Sequence, residues 1–132
     1  MDIKQQAEQN EAKAKAELAA MRQTHDPEEL YQLLKRYIRL RYLLDDDPFW
    51  DDDLESYAKY SIRKTMEKSG DPAKLRDLGI NCAGASSSTT KHILLIISLR
   101  KGLGIALDPD DAMTAHSTRD LAALLSRALL NA

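Results

Sequence analysis

The apolar run from Ile93 to Leu99 constrains the fold of this chain more than any other stretch. Its aliphatic residues leave almost no polar face, so a helix over about Lys91 to Lys101 must be covered by other elements on nearly every side. Gly102 and Gly104 follow the run and are typical of a helix end. Val is absent from the chain and Phe occurs once, which argues against an extensive sheet. The sequence therefore predicts an all-α bundle in which this helix is central.

Length and charge narrow the class of protein. At 132 residues the chain is long enough for one domain with a single modest core. A net charge of −2 gives no reason to expect nucleic-acid binding, and the longest apolar stretch is too short to cross a bilayer. The single cysteine excludes an internal disulfide and suits a reducing compartment, and the charged N-terminus is unlike a signal peptide. These features predict a cytoplasmic protein that binds neither nucleic acid nor membrane.

Residues 2–23 have high helix propensity but a weak apolar stripe, with Ile3, Leu18 and Met21 as their only large apolar members. A helix with so narrow a stripe is expected to bury little surface. It is either a solvated, peripheral helix or a coiled-coil surface for a partner helix, and the lack of a continuous heptad favours the first interpretation. The chain is accordingly divided into a peripheral N-terminal helix or tail at 1–24 and one helical domain at 25–132.

Three later helix starts carry capping signals. Asp26 followed by Pro27 predicts an N-cap and a first helical position for a helix with a core-facing apolar stripe. Asp108–Asp111 predicts a short capped turn after the central helix. Ser117, with Asp120 three residues later, has the spacing of a capping box and predicts the start of the last helix.

The segment from Asp45 to Asp53 places six Asp around a Pro-Phe-Trp centre, which leaves two interpretations open. Its carboxylates suit a divalent cation, although the segment lacks the alternating ligands and the Gly of an EF-hand loop. Alternatively, Phe49 and Trp50 hold the loop against the core, and the second Asp triplet caps the next helix, predicted from about Asp51 to Lys68. The second interpretation is favoured, and no metal site is predicted.

Hydroxyl residues precede the central helix. Ser86, Ser87 and Ser88 are followed by two threonines, and any of these hydroxyls can accept from the first free amides of a helix. One or two hydroxyls would then stand free at the helix N-terminus, whose partial positive charge favours a phosphate. The same residues also fit a plain loop of small side chains that ends in a cap. Lys91 and His92, one turn later, either contact such a phosphate or belong to the solvated surface.

Two stretches beside the serines show a family pattern. LRDLGI at Leu75–Ile80 is similar to a hydrophobic Asp-Leu-Gly segment, and ISLRKGLGIALDPDDAMTAHSTRDLAALL at 97–125 is similar to a helix end, a loop, a short acidic helix and a Thr-rich helix start. Together they resemble the acyl carrier proteins over Leu75–Leu125. The resemblance implies an acyl-carrier-like helical bundle, here with additional N-terminal helices. It also implies a 4'-phosphopantetheine arm on a serine at the start of the central helix.

The family's attachment motif, Asp-Ser-Leu, does not occur in this chain, and the resemblance can be aligned in three ways. Counting from the Leu-Gly-Ile of the first stretch gives Cys82, counting back from the end of the central helix gives Ser88 or Thr89, and matching GASSS to Gly-Ala-Asp-Ser-Leu gives Ser87. Because the family's transferase modifies a serine, Ser87 is the preferred site, and Ser88 and Ser86 are the other candidates. Cys82 is interpreted as a small apolar residue and not as a reactive thiol.

The resemblance implies a non-catalytic carrier whose arm moves an acyl or aminoacyl thioester between enzymes. The implied partners are a phosphopantetheinyl transferase and acyl-activating or acyl-transferring enzymes. The residues themselves argue against an enzyme, because His25, His92 and His116 lie far apart in sequence and a Cys82–His92 pair lacks a recognisable orienting group. The alternative is an unmodified carrier-fold protein that acts as a protein–protein interaction module through its added helices and its acidic loop.

Overall fold

The structure, a computed structural model, describes residues 3–69 and 87–131. These ranges hold six helices and no strand, so the predicted all-α class is confirmed. The helices are α1 (Ile3–Gln23), α2 (Pro27–Arg41), α3 (Leu54–Ser69), α4 (Ser87–Leu103), α5 (Pro109–Thr114) and α6 (Thr118–Leu130). None of the helices within the described ranges combines the length and the apolar character needed to cross a membrane.

The predicted capping residues begin their helices. Asp26 Oδ1 accepts from the Glu28 amide at 3.1 Å at the start of α2, and Asp108 caps α5 in the same way. Ser117 Oγ accepts from the Asp120 amide at 3.0 Å at the start of α6. These bonds satisfy amides that have no partner inside the helix, which is why short polar side chains mark these starts in the sequence.

The core lies between α2, α3, α4 and α6, with α1 packed along α2 and reaching α4. Each of these helices presents large side chains that are less than 3% exposed: Leu34, Tyr37, Ile38, Leu54, Tyr57, Leu95, Leu99, Leu121 and Leu125. Full burial of one such side chain stabilises the folded state by about 1.5–3 kcal/mol before the entropy of ordering is counted. The core therefore joins elements from the whole described chain into one unit.

Helix α1 contributes more to the core than its sequence predicts. Met21 is completely buried, Ala14 is 3% exposed, and Leu18 packs against the core from the same face. At Gly102 of α4 an added Cβ would lie 2.5 Å from Leu18 Cδ1, so the two helices approach closely there. The expectation of little burial is wrong at these positions, because a few well-placed side chains suffice when two neighbouring helices meet the stripe. The division of the chain at residue 24 stays a prediction.

Helix α4 differs from its prediction in two respects. It begins at Ser87, one turn before the predicted start near Lys91, so hydroxyl residues form its first turn. Leu95 and Leu99 are buried, but Ile93 and Leu94 are 42% and 45% exposed. The helix is therefore central on one face only.

The start of α3 is tied to the start of α6. The Leu54 amide donates to the His116 carbonyl and the Thr118 amide donates to the Asp52 carbonyl, each at 2.8 Å, around an isolated antiparallel bridge. Tyr31 of α2 donates its hydroxyl to the Asp52 carboxylate at 2.6 Å. These bonds hold the segment before α6 beside α3 and so fix the position of His116.

Candidate functional site

A cavity of about 170 Å³ lies at the N-terminal end of α4, and we call it the α4 cavity. Three parts of the chain form its wall: the start of α3, the first turns of α4, and the segment from α5 to the start of α6. The lining residues are Leu54, Glu55, Ser88, Thr89, His92, Met113 and His116. One of the three candidate serines, Ser88, therefore lies at the same cavity as the two histidines of the C-terminal half.

The three candidate serines differ in what the structure says of them. Ser88 lines the α4 cavity and is only 6% exposed. Ser87 is the first residue of α4, and the structure describes its place in the helix but not its side chain. Ser86 lies outside the described residues, as do Cys82 and the Leu75–Ile80 stretch of the resemblance. A transferase must reach the hydroxyl that it modifies, so the burial of Ser88 argues against that residue.

His92 and Ser88 stand one turn apart on α4 and line the same cavity. The Nε2 atom of His92 is enclosed and has no hydrogen-bond partner. Burial, and then the proximity of His116, lower the pKa of His92 below its ordinary value of 6.5. The imidazole is therefore held in its neutral form near pH 7, which leaves it able to donate or accept one hydrogen bond but not to neutralise a phosphate.

Lys91 points to a different neighbour. Its Nζ lies 4.8 Å from the centre of the Tyr42 ring, and the side chain is half-buried. Burial, and then the charge of Arg41, lower the pKa of Lys91 to about 8. The Tyr42 hydroxyl is itself buried without a partner, and burial raises the pKa of Tyr42. Lys91 thus packs on the aromatic part of the core and is not a fully solvated surface residue.

The acidic loop uses its carboxylates inside the protein. Asp47 accepts from the Phe49 amide at 2.9 Å and from the Tyr60 hydroxyl at 2.8 Å, and these bonds lower the pKa of Asp47. Asp53 accepts from the Ser56 amide at 2.8 Å, and this bond lowers the pKa of Asp53 and caps α3. In the two described ranges, no group of three or more possible ligands is placed to hold a metal ion.

The aromatic residues of this loop pack as predicted. Trp50 is partly buried, and its ring lies 4.7 Å from that of Tyr57. Phe49 is 39% exposed but lies 4.2 Å from the ring of Tyr60. The interpretation of the loop as a structural element held by its aromatic centre is therefore supported by its contacts.

Sequence reasoning did not place His116, Glu55 and Met113 at the site. His116 is 24 positions from His92 by number, and it comes close because the bridge at Asp53 and Ser117 holds it beside α3. The one local signal is its position directly before the Ser117 cap, which fixes the direction in which the chain enters α6. That signal does not reveal which helix lies opposite.

Comparison of the chain with protein-family models, with curated proteins and with solved structures found no match in any of the three.

Proposed function

We propose that this chain is an acyl carrier-like protein that tethers an acyl or aminoacyl group through a 4'-phosphopantetheine arm on Ser87. One observation carries the proposal: Ser87 is the first residue of α4, and a short acidic helix and a capped last helix follow α4 in the order that the resemblance implies. Amides at a helix start and the helix dipole stabilise a phosphodiester bonded at that position.

Ser87 is preferred over its neighbour because of burial. Ser88 is 6% exposed and faces the α4 cavity, so a transferase has little access to its hydroxyl. Thr89 and Thr90 follow Ser88 along the helix. Their secondary alcohols are poorer acceptors for an enzyme that modifies serine. Ser86 remains a candidate, and the same measurement tests it.

The carrier would raise the rate of transfer without catalysing chemistry. A thioester on a flexible arm reaches successive enzymes at an effective concentration that the arm length sets. The proposed partners are a phosphopantetheinyl transferase and acyl-activating or acyl-transferring enzymes. Asp108, Asp110 and Asp111 give α5 a negative surface for them, whereas Arg100 and Lys101 make the end of α4 basic. A partner that contacts both surfaces needs basic residues opposite α5 and acidic residues opposite the end of α4.

A second function, an unmodified protein–protein interaction module, is favoured by a specific observation. Ile93 and Leu94 leave an apolar patch on the outer face of α4, with 42% and 45% of their surfaces exposed. Such a patch is suited to contact with another protein whether or not an arm is attached.

Intact-mass measurement after coexpression with phosphopantetheinyl transferases separates the two functions. The carrier proposal expects a gain of one arm in the full chain, lost in Ser87→Ala and retained in the matched variant Ser88→Ala. If the mass of the arm is still gained by Ser87→Ala but not by Ser86→Ala, then the arm is attached to Ser86 instead of Ser87. No gain with several transferases, in protein whose helical circular dichroism is intact, rejects the carrier and leaves the interaction module.

A further inference from the structure

A second and larger concave site lies between α1 and α2, with a volume of about 660 Å³. Four of its lining residues are basic, Lys13, Lys35, Arg36 and Arg39, and two are acidic, Glu17 and Asp45. We call this site the basic groove. It shares no lining residue with the α4 cavity, and it is positive although the chain as a whole carries a net charge of −2.

Within the described residues, no ion pair includes a cation of this groove, although the charge of Arg39 contributes to the lowered pKa of Asp47. Among the residues that the structure describes, ion pairs join Lys59 to Glu55, Lys64 to Glu67, and Arg119 to Glu28. Asp45 is the acidic residue closest to Arg39 in the sequence, and its carboxylate accepts from Asn10 Nδ2 at 2.8 Å and from Gln6 Nε2 at 3.4 Å. Like charges gathered in a concavity repel one another, and an anionic ligand removes that cost.

Two of the four cations are held in place before any ligand arrives. Arg39 donates to the main-chain carbonyls of Asp45 and Asp47. Lys35 Nζ lies 5.1 Å from the centre of the Trp50 ring. Because these side chains are already ordered by the acidic loop, less conformational entropy is lost when an anion binds to them. Lys13 on α1 and Arg36 on α2 are exposed, so both side chains are free to contact a ligand in the groove.

We propose that the basic groove binds a small organic anion with at least two phosphate groups, of about the size of a nucleoside diphosphate. The basic side chains outnumber the carboxylates by two, and one phosphate ester, at about −1.5 to −2 at neutral pH, already balances that excess. The second phosphate rests on the volume of the groove and on its four separate cations. Arginine matches phosphate oxygens with two parallel N–H donors, and lysine adds point charge. Leu40 and Ala16 give the groove apolar wall for the uncharged part of the ligand.

The volume agrees with this class of ligand. Sites for small molecules typically enclose about 300–1,000 Å³, and the groove lies within that range. A single inorganic phosphate would leave most of this space unfilled and would reach fewer of the four cations. The proposal concerns α1, α2 and the acidic loop, and it does not depend on the arm at Ser87.

Calorimetric titration of the full chain tests the proposal, with adenosine diphosphate as the probe and adenosine and citrate as comparison ligands, at physiological ionic strength. Adenosine diphosphate is expected to bind, adenosine is not, and citrate is expected to bind more weakly. Lys13→Ala and Arg36→Ala are each expected to weaken binding about tenfold, as the loss of one charged hydrogen bond does. Both residues are exposed, so neither change should disturb folding.

Lys15→Ala is the matched control, because Lys15 is an exposed lysine on the same helix that does not line the groove. It is expected to bind like the unaltered protein. Absence of heat with adenosine diphosphate at millimolar concentration overturns the proposal. If Lys13→Ala and Lys15→Ala weaken the binding of adenosine diphosphate equally, then binding depends only on the net charge of the protein. That result overturns the assignment of the ligand to the basic groove. Citrate binding as tightly as adenosine diphosphate overturns the phosphate class.

Discussion

The α4 cavity and the basic groove are built on opposite principles. The α4 cavity is small, and it encloses a histidine nitrogen without a partner next to a buried serine. The basic groove is about four times larger in volume, open between two helices, and lined by four basic and two acidic side chains. At the first site, burial lowers the pKa of His92 and so disfavours its charged form, whereas the second site gathers four basic side chains in one concavity. An ionic ligand therefore fits the groove and a neutral group fits the cavity.

The largest expected effect tests whether α1 is a fixed wall of the groove. Met21→Ala removes a completely buried side chain from the α1 face that meets the core, and we expect it to lower the free energy of unfolding by about 3 kcal/mol. Urea denaturation at pH 7 measures the change, with Lys15→Ala on the exposed face as the control. A change below about 0.5 kcal/mol, the range of surface substitutions, would mean that α1 frays from the bundle and that the groove does not persist in solution.

The next effect concerns the polar contact at the end of the groove. Asn10 is 4% exposed and donates to the Leu40 carbonyl at 3.1 Å and to Asp45 at 2.8 Å. Asn10→Ala removes both hydrogen bonds, one of them to a carboxylate, while the Leu40 carbonyl keeps the Leu43 amide as a donor. We therefore expect a loss of about 2 kcal/mol in the free energy of unfolding. Gln9→Ala, at an exposed position of the same helix, is the control. Equal stability of the two variants would show that α1 is not held to the acidic loop through Asn10.

Lys91→Met is expected to stabilise the protein. At pH 7 the lysine is charged in both the folded and the unfolded state, and only the folded state bears the cost of its burial. That cost is present below a pH of about 8 and disappears as the pH rises towards 10.5, so stability increases with pH across this window. We expect the variant to gain about 1 kcal/mol at pH 7, because partial exposure and the lost Tyr42 contact offset much of the effect.

Denaturant titrations at pH 7 and pH 9.5 check this prediction. In Lys91→Met the increase between the two pH values should be smaller than in the unaltered protein, while Lys101→Met, at an exposed position of the same helix, should keep the full increase. A clear loss of stability in Lys91→Met at pH 7 would indicate that the ring contact outweighs burial, and that this end of α4 tolerates charge as the groove does.

The smallest effect is the pH response of the α4 cavity. The lowered pKa of His92 means that the unfolded state binds its proton more tightly, so this contribution is present above pH 6.5 and is lost as the pH falls through that value towards the folded-state pKa. The groups that face His92 across the cavity are His116 and Glu55. We expect the unfolding free energy to fall less steeply between pH 7.5 and 5.5 in His92→Gln than in the unaltered protein.

His25→Gln provides the comparison for this response, because His25 is exposed at the junction of α1 and α2. If His92→Gln and His25→Gln give the same slope, then the cavity is hydrated and the contrast with the basic groove does not hold.

Local signals in the sequence predicted helix starts well and helix surroundings poorly. Asp26 and Ser117 cap the helices that they were expected to cap, because a cap depends only on amides two or three residues away. The same reasoning placed the start of α4 one turn late, since serines and threonines fit either a loop or a first helical turn. It also expected Ile93 and Leu94 to be covered, and both are exposed.

The two candidate sites show the same division. Sequence reasoning selected Ser86, Ser87 and Ser88 and the neighbouring His92, and two of these four residues line the α4 cavity. It did not anticipate the basic groove, because Lys13 on α1 and Arg36 on α2 face one another only when the helices lie side by side. Alternating charges along α1 read as a solvated face, and the partner helix is what turns part of that face into a concave site.

The amino-acid sequence by itself determined the helical class, the caps, and the apolar positions of α2 and α6, because each depends on residues within one or two turns. The tertiary structure alone decided that Met21 is buried, that His92 meets His116, and that four cations gather between α1 and α2. These features depend on which faces of distant segments meet. Packing sets that choice through shape and desolvation summed over the whole core, and no local pattern records it.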